Sequence, residues 1–270
     1  MKTGVQLYSV RTDLEQDFFG TLKRVKEMGY DGVEFAGLYG KDPAEINRYC
    51  NELGLEPISA HVPFVEMLNN LEKVMSDYEA IGCKYIAIPY LNPEHRPGQP
   101  GFNVVLENAE KIGRCAKQHG MQLLYHNHNF EFEKINGEYA LDILYQSVPA
   151  EFLQTEIDTC WVNVAEEDPA AYVRKYTGRS PVVHLKDFYK KGHVTGNVFK
   201  LIGSDEEEQC TKDFEFRPLG CGMQDVQGLL DAAKDAGAEW VIVEQDENTM
   251  GLSRMESIQK SIDYLKTLKY

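Results

Sequence analysis

Four short stretches of this chain end in side chains that could hold or move charge. They are Leu124-Tyr125-His126-Asn127-His128-Asn129-Phe130-Glu131, Glu156-Ile157-Asp158, Val183-His184-Leu185-Lys186-Asp187 and Val243-Glu244-Gln245-Asp246. Each is led in by a run rich in apolar or β-branched residues, the composition of strands. Side chains alternate along a strand. If positions 157, 183, 185 and 243 face an apolar layer, Glu156, Asp158, His184, Lys186, Glu244 and Asp246 face the other way. His126 and His128 share a face by the same rule. Two imidazoles and two carboxylates converging at one place suit one divalent cation of borderline preference, with Mn²⁺, Co²⁺, Zn²⁺, Fe²⁺ and Mg²⁺ all open. Any one histidine alone is better explained as a satisfied polar group in a metal-free pocket. The joint pattern reverses that, because burying so many charges without a compensating ion costs several kcal/mol each.

The elements that would position these groups repeat one phrase: amphipathic helix, glycine, β-rich run. It occurs as KRVKEMG-YDGVEF, RYCNELG-LEPISA, YEAIG-CKYIAI, RCAKQHG-MQLLYH and AAKDAG-AEWVIV. Gly29, Gly54, Gly82, Gly120 and Gly237 stand where a helix ends in the left-handed conformation, which only glycine adopts without steric cost. Asp17, Asp42-Pro43 and Asp168-Pro169 read as helix starts. Strands are expected over residues 5–10, 32–36, 57–61, 85–90, 122–127, 153–158, 181–186 and 240–245. Eight strands alternating with helices imply parallel strands joined by right-handed crossovers. The reading is a single α/β domain over residues 1–270, a (β/α)₈ TIM barrel, with a doubly wound open sheet as runner-up. No G-x-G-x-x-G follows the first strand, which weakens the dinucleotide-binding form of that runner-up. Two long connections, residues 91–101 and 189–224, follow the fourth and seventh strands. In a barrel both lie at the C-terminal face, where active sites sit. The second contains the acidic run Asp205-Glu206-Glu207-Glu208, read as a solvated loop.

Composition narrows the partners. The 270 residues carry 28 Lys+Arg against 43 Asp+Glu, a formal charge of −15, with 43% apolar and 11% aromatic residues. That describes a soluble globular chain with an acidic surface. Nucleic acid is an unsuitable partner without a basic face. No apolar run approaches the roughly 18 residues a membrane helix needs, and strand-like sequence by Gly4 leaves no room for a signal peptide. Six scattered cysteines with no C-x-x-C pair read as reduced thiols in a cytoplasmic setting. None has the base partner a nucleophile needs.

Taken together, GVQLYSVR at residues 4–11, GYDGVEFAG at 29–37, YHNHNFEF, IDTCWV, VVHLKDF and VIVEQD resemble the xylose-isomerase-like TIM barrels. That group holds sugar isomerases, epimerases, inosose dehydratases and endonuclease IV. The chain looks most like bacterial proteins described as sugar phosphate isomerase/epimerases. In D-tagatose 3-epimerase-like members a Glu, an Asp, a His and a second Glu hold the metal. The resemblance places the last three on Asp158, His184 and Glu244, and the first on His126, a departure. Those epimerases use their two metal-bound glutamates as an acid/base pair, whereas an imidazole ligating through one nitrogen is a poor mobile base. Glu244 could remove a proton beside a polarised carbonyl. The second proton-transfer group would be Glu131, which a one-residue gap places on a substrate-contacting Glu, or His128, Glu156 or Lys186. Lys186 could also stabilise an enolate. The substrate His of the epimerases falls on Trp161 and an Arg lies near Lys190, so substrate contacts are rebuilt. The His-Asn-His string is closer to the inosose dehydratases, where water is eliminated β to a ketone.

Other residues carry weaker expectations. His61 lies at the same barrel mouth and could touch substrate. Tyr8, Arg11 and Glu34 could line the pocket floor. Phe64 and Trp161 could stack on a sugar ring, though aromatic residues there are more often core. His95, His119 and His193 read as surface residues, and Gly220-Cys221-Gly222 as a loop rather than a phosphate cradle. The function expected is a divalent-metal-dependent isomerase or epimerase of a monosaccharide or cyclitol, acting through an enediolate. The alternative is a dehydratase of an inosose or keto-sugar. Phosphodiester cleavage would need many more ligands and a basic face. A non-catalytic sugar-binding barrel is the distant third reading. Homo-oligomerisation is open.

Overall fold

The alternation of apolar runs with glycine-ended helices builds a ring of parallel strands inside a ring of helices. The computed structural model describes residues 1–192 and 213–270; the acidic run at 205–208, His193 and Cys210 lie outside the described residues. The barrel strands are β1 (Lys2–Gln6), β2 (Gly32–Phe35), β3 (Glu56–Ala60), β4 (Tyr85–Ile88), β5 (Gln122–His126), β8 (Gln154–Asp158), β9 (Val182–Leu185) and β12 (Trp240–Val243). Two short antiparallel ribbons interrupt the count: β6 (Lys134–Ile135) with β7 (Glu138–Tyr139), and β10 (Asp187–Lys190) with β11 (Phe214–Arg217). The order β3-β2-β1-β12-β9-β8-β5-β4 is parallel throughout. The open ends meet through one bridge, His61 to Ala87, with Val62 N–H donating to Ala87 (3.0 Å) and Lys84 N–H to Ile58 (3.0 Å). The fold is a TIM barrel, and the open-sheet alternative fails on that closure.

The first strand is a correction. It ends at Gln6, and Leu7–Val10 forms a 3₁₀ turn, followed by α1 (Arg11–Gln16). The Gln6 side chain accepts from Tyr8 N–H (2.9 Å) and turns the chain before the strand can continue. Arg11 therefore sits on a helix. Its guanidinium stacks on Tyr8 and binds Glu247 and the Asp246 carbonyl rather than the barrel floor.

Helix ends follow their local chemistry. Asp17, Asp42 and Asp168 side chains cap α2 (Phe18–Met28), α3 (Pro43–Leu53) and α8 (Pro169–Lys175). Gly29, Gly54, Gly82 and Gly237 close α2, α3, α4 (Phe64–Ile81) and α9 (Val226–Ala236) at positive φ. Among the described residues no helix is long and apolar enough to cross a membrane.

Inside the ring, Ile58, Tyr85, Ala87, Leu124, Val182, Trp240 and Ile242 form an apolar plug at the strands' N-terminal half. Outside it, Ile157, Val183, Leu185 and Val243 pack against the helices. Burial of each such side chain contributes about 1.5–3 kcal/mol. One inward step above Leu124, Val182 and Ile242 the residue types change to His126, His184 and Glu244. The alternation that fills the plug therefore delivers the polar groups to the C-terminal mouth.

Candidate metal centre and substrate cavity

Strand register sets the floor of the site. Glu34 pairs with Gln6 and Ser59, the latter because β2 and β3 slip register at Val33/Glu34. Its carboxylate accepts from Gln6 Nε2 (2.7 Å) and Ser59 Oγ (2.5 Å), and lies 2.8 Å from His184 Nε2 and 3.0 Å from His61 Nε2. Glu156, level with His126, lies 2.7 Å from His61 Nε2 and 3.5 Å from His126 Nδ1. His126 and His184 thus turn one nitrogen each toward this floor, beside His61.

Their other nitrogens face a second group of acids. His126 Nε2 is 3.7 Å from Asp158 Oδ2 and 4.0 Å from Glu244 Oε2, and His184 Nδ1 is 3.2 Å from Glu244 Oε2. One donor atom from each of His126, Asp158, His184 and Glu244 falls within 4.8 Å of the rest. Donors about 2.1 Å from a shared cation stand roughly 3–4 Å apart. Asp158 divides its carboxylate. Oδ1 caps α7 (Thr159–Val164) through Cys160 and Trp161 N–H (2.7 and 3.1 Å), while buried Oδ2 has no hydrogen-bond donor. His126 Nδ1 also lacks a close partner. His61, His126, Glu156 and His184 form an overlapping group, but there His61 touches Glu156 at hydrogen-bond distance, so the two sets differ in kind. The residues fit one divalent ion at the upper set, with Glu156 and Glu34 orienting the imidazoles from below.

Lys186 is the resident cation. Its ammonium lies 2.5 Å from Asp246, 3.0 Å from Glu244 and 3.6 Å from Asp158, and rests over the Trp161 and Phe216 rings. Burial, opposed by Lys186 and reinforced by Glu244, raises the Asp158 and Asp246 carboxyls to about 6. Burial and Glu34 raise Glu156 to about 7. Despite burial, Lys186 and His184 hold Glu244 well below the usual carboxylate range. Despite burial, Glu34 and Glu156 raise His61 to about 10 and push His184 well up. Burial, His184 and His61 push His126 well down, which keeps its nitrogens available. The site holds more carboxylate than its own cations neutralise.

Over this floor opens a cavity of about 640 Å³ lined by His61, His126, His128, Lys186, Glu244 and Asp246, and on its outer side by Tyr8 and residues following β2, β3 and β4. The other expected residues lie elsewhere. Glu131 is fully buried off the cavity, accepting from Tyr125 O–H (2.6 Å) and His128 N–H (2.8 Å). Trp161 packs in an aromatic cluster with Phe188, Phe214 and Phe216 against the β10–β11 ribbon. Lys190 donates to the Asn163 carbonyl (3.0 Å). Phe64 is buried edge-on to His95. The Gly220–Gly222 turn does cradle an anion, the protein's own Asp187, which accepts from Phe188, Gly220, Gly222 and Gln224 N–H. His119 stands at the surface between Glu72 and Glu79. Sequence reasoning named Tyr8 as a pocket residue but assigned no role to Ser59, Gln6, Tyr39, Tyr78 or Tyr90. Of these only Tyr39 carried a local signal, the glycines at 37 and 40 around it.

Comparison with known proteins agrees with this architecture. The chain is 24% identical over 283 residues to an inosose dehydratase of Mesomycoplasma hyopneumoniae, covering 93% of this chain and 88% of that one. A sugar phosphate isomerase/epimerase from Parabacteroides distasonis superposes with a TM-score of 0.77 at 21% identity, covering 98% of each chain. The IOLI protein, solved with a zinc atom, superposes at 0.73 and 15% identity over 99% of this chain and 97% of that one. The model of the xylose isomerase-like TIM barrel family matches residues 22–268. This chain belongs to the xylose isomerase-like TIM barrel family.

Proposed function

We propose that the chain is a divalent-metal-dependent enzyme that removes a proton beside the carbonyl of a sugar or cyclitol and returns it elsewhere, an isomerase. The observation that carries this is the set His126, Asp158, His184 and Glu244, with donors within 4.8 Å of one another at the cavity floor. The zinc bound by the IOLI relative supports the same reading. These four residues would hold the ion, which when bound polarises the substrate carbonyl and acidifies the neighbouring carbon. Glu244, ionised at neutral pH, accepts that proton. Lys186 neutralises the oxygen of the enediolate and donates to it, with Asp246 holding the ammonium in place. His61 and His128 border the cavity and contact substrate hydroxyls. Glu156 holds His61 at hydrogen-bond distance and faces His126 Nδ1 at 3.5 Å. Glu131, Trp161 and Lys190 act on substrate only through the walls they build.

Glu244 is the one cavity-lining carboxylate among the four ligands, with an imidazole where a second would stand. One base serves a transfer along a single face of the enediolate, whereas epimerisation needs proton donors on both faces. Dehydration is the second reading. The dehydratase relative spans 93% of the chain, and the Lys186–Asp246 pair could protonate a departing hydroxyl. Glu244→Gln is expected to keep the metal and lower solvent-deuterium exchange at the acidic carbon by about 10²–10⁴-fold. NMR of ketoses and inososes in D₂O reads this, and exchange at the wild-type rate would remove Glu244 as base. The same spectra separate isomerised from dehydrated product.

A further inference from the structure

The cavity has two chemically distinct halves, and only the inner one is used above. The outer half is walled by Leu38, Tyr39, Val74, Tyr78 and Tyr90, with Pro63 at its rim. The full volume of about 640 Å³ lies within the roughly 300–1,000 Å³ range that encloses drug-sized ligands. A lone monosaccharide would leave the aromatic half to water.

Two backbone features hold that half open. Tyr39 sits at φ +53° between Gly37 at +87° and Gly40 at +71°. A left-handed tyrosine is strained, and such strain persists where the surroundings enforce it. Here the conformation, backed by Phe18 at 5.8 Å, brings Tyr39 to the cavity wall. α4 is broken at Asn70, whose φ −137° and ψ 35° are not helical. The cavity is lined from both sides of the break, by Glu66 before it and by Val74, Asp77 and Tyr78 after it. The groove therefore runs along α4, away from the ion site.

Charge among the described lining residues opposes a phosphate tail. Among the described lining residues the cations are Lys186, held by Glu244 and Asp246, and His61, held by Glu34 and Glu156. The outer half adds the acids Glu66 and Asp77. A phosphate there would meet carboxylates and no unengaged cation among the described residues.

We infer that the substrate is an unphosphorylated glycoside whose sugar ring bears a ketone away from the anomeric carbon, with that ketone over Glu244 and an apolar or aromatic aglycone between Tyr39 and α4. The inference rests on the reading of the inner half as the carbonyl-sugar site. The test is calorimetric binding of phenyl and methyl D-glucopyranosides and D-galactopyranosides, in both anomeric forms, to the metal-loaded protein; they lack the ketone and serve as non-reacting analogues that keep the aglycone. Glucose 6-phosphate and glucose serve as a second pair. At least one phenyl glycoside is expected to bind roughly tenfold or more tighter than its methyl counterpart. Tyr39→Gly and Tyr39→Asn both accept the left-handed backbone, so they remove the ring while keeping the loop. Both are expected to abolish the phenyl preference and leave methyl glycoside affinity unchanged. Equal phenyl and methyl binding, no glycoside binding, a preference that survives both variants, or tighter binding of the phosphate than of glucose would each overturn the inference. Deuterium exchange on a free ketose without any phenyl preference would leave the isomerase reading standing and remove this one. A phenyl preference without exchange on any carbonyl sugar would do the reverse.

Discussion

Lys186 and a bound ion would address the same two carboxylates, so at the scale of single residues the site is a balance of cations. Lys186→Gln removes the resident charge and is expected to raise Mn²⁺ affinity by about tenfold or more, while turnover falls by about 10²–10⁴-fold. Calorimetric titration beside a rate measurement checks both signs, and a parallel fall of affinity and rate would show that Lys186 builds the ion site. Glu131 gives a pH signature away from the ion. Burial raises its carboxyl from 4.5 to about 7, although Tyr125 and two backbone N–H groups oppose the shift. A raised carboxyl keeps its proton in the folded state after the unfolded chain has released it. Stability therefore falls as pH climbs from about 4.5 to 7, by about 3 kcal/mol in all. Glu131→Gln is expected to exceed the wild type in stability by about 2–3 kcal/mol at pH 8 and to show no gain at pH 5, read by urea unfolding. An equal effect at both pH values would assign the change to packing. The convergence of His126, Asp158, His184 and Glu244 was legible because each sits at the end of an apolar run. Glu34 was named only as pocket floor, because its partners His61 and His184 come from distant strands.

Among the elements, the strands were legible wherever propensity and burial agree. Residues 7–10 were misread because Leu-Tyr-Ser-Val has strand composition, while a side-chain cap from Gln6 decides the turn. The β10–β11 ribbon was invisible for a different reason. Its strands pair across the long connection after β9, and no local period announces that pairing. Asp187 anchors this ribbon to the turn before α9 through the N–H groups of Gly220, Gly222 and Gln224, each at 3.0 Å, and also accepts from its neighbour Phe188 N–H at 2.9 Å. Asp187→Ala leaves those donors without their acceptor and is expected to cost about 2–3 kcal/mol. It should also loosen Lys186, its chain neighbour. Thermal unfolding and faster amide exchange at Gly220, Gly222 and Gln224 would register the loss; unchanged exchange would show the turn to be held by other contacts.

For the molecule as a whole, the eightfold repeat was readable in the sequence, but the way the ring closes was not. Ions that bind only the folded ring stabilise all of it. Mn²⁺ or Zn²⁺ at a hundred times its dissociation constant is expected to add about 2.7 kcal/mol, a rise of roughly 5–10 °C in melting temperature for a chain of this length. A chelator should reverse the rise, and a melt indifferent to both would remove the ion from the fold's energetics. Seven joints of the barrel are ladders of paired strands, while the eighth is a clasp, a single bridge from His61 to Ala87 with a bond on either side. The loops after β2, β3 and β4, together with α4, straddle that clasp and form the tyrosine-lined wall of the cavity. A hoop yields first at its clasp, so a bulky guest would find the vessel most compliant directly beneath the wall that receives it.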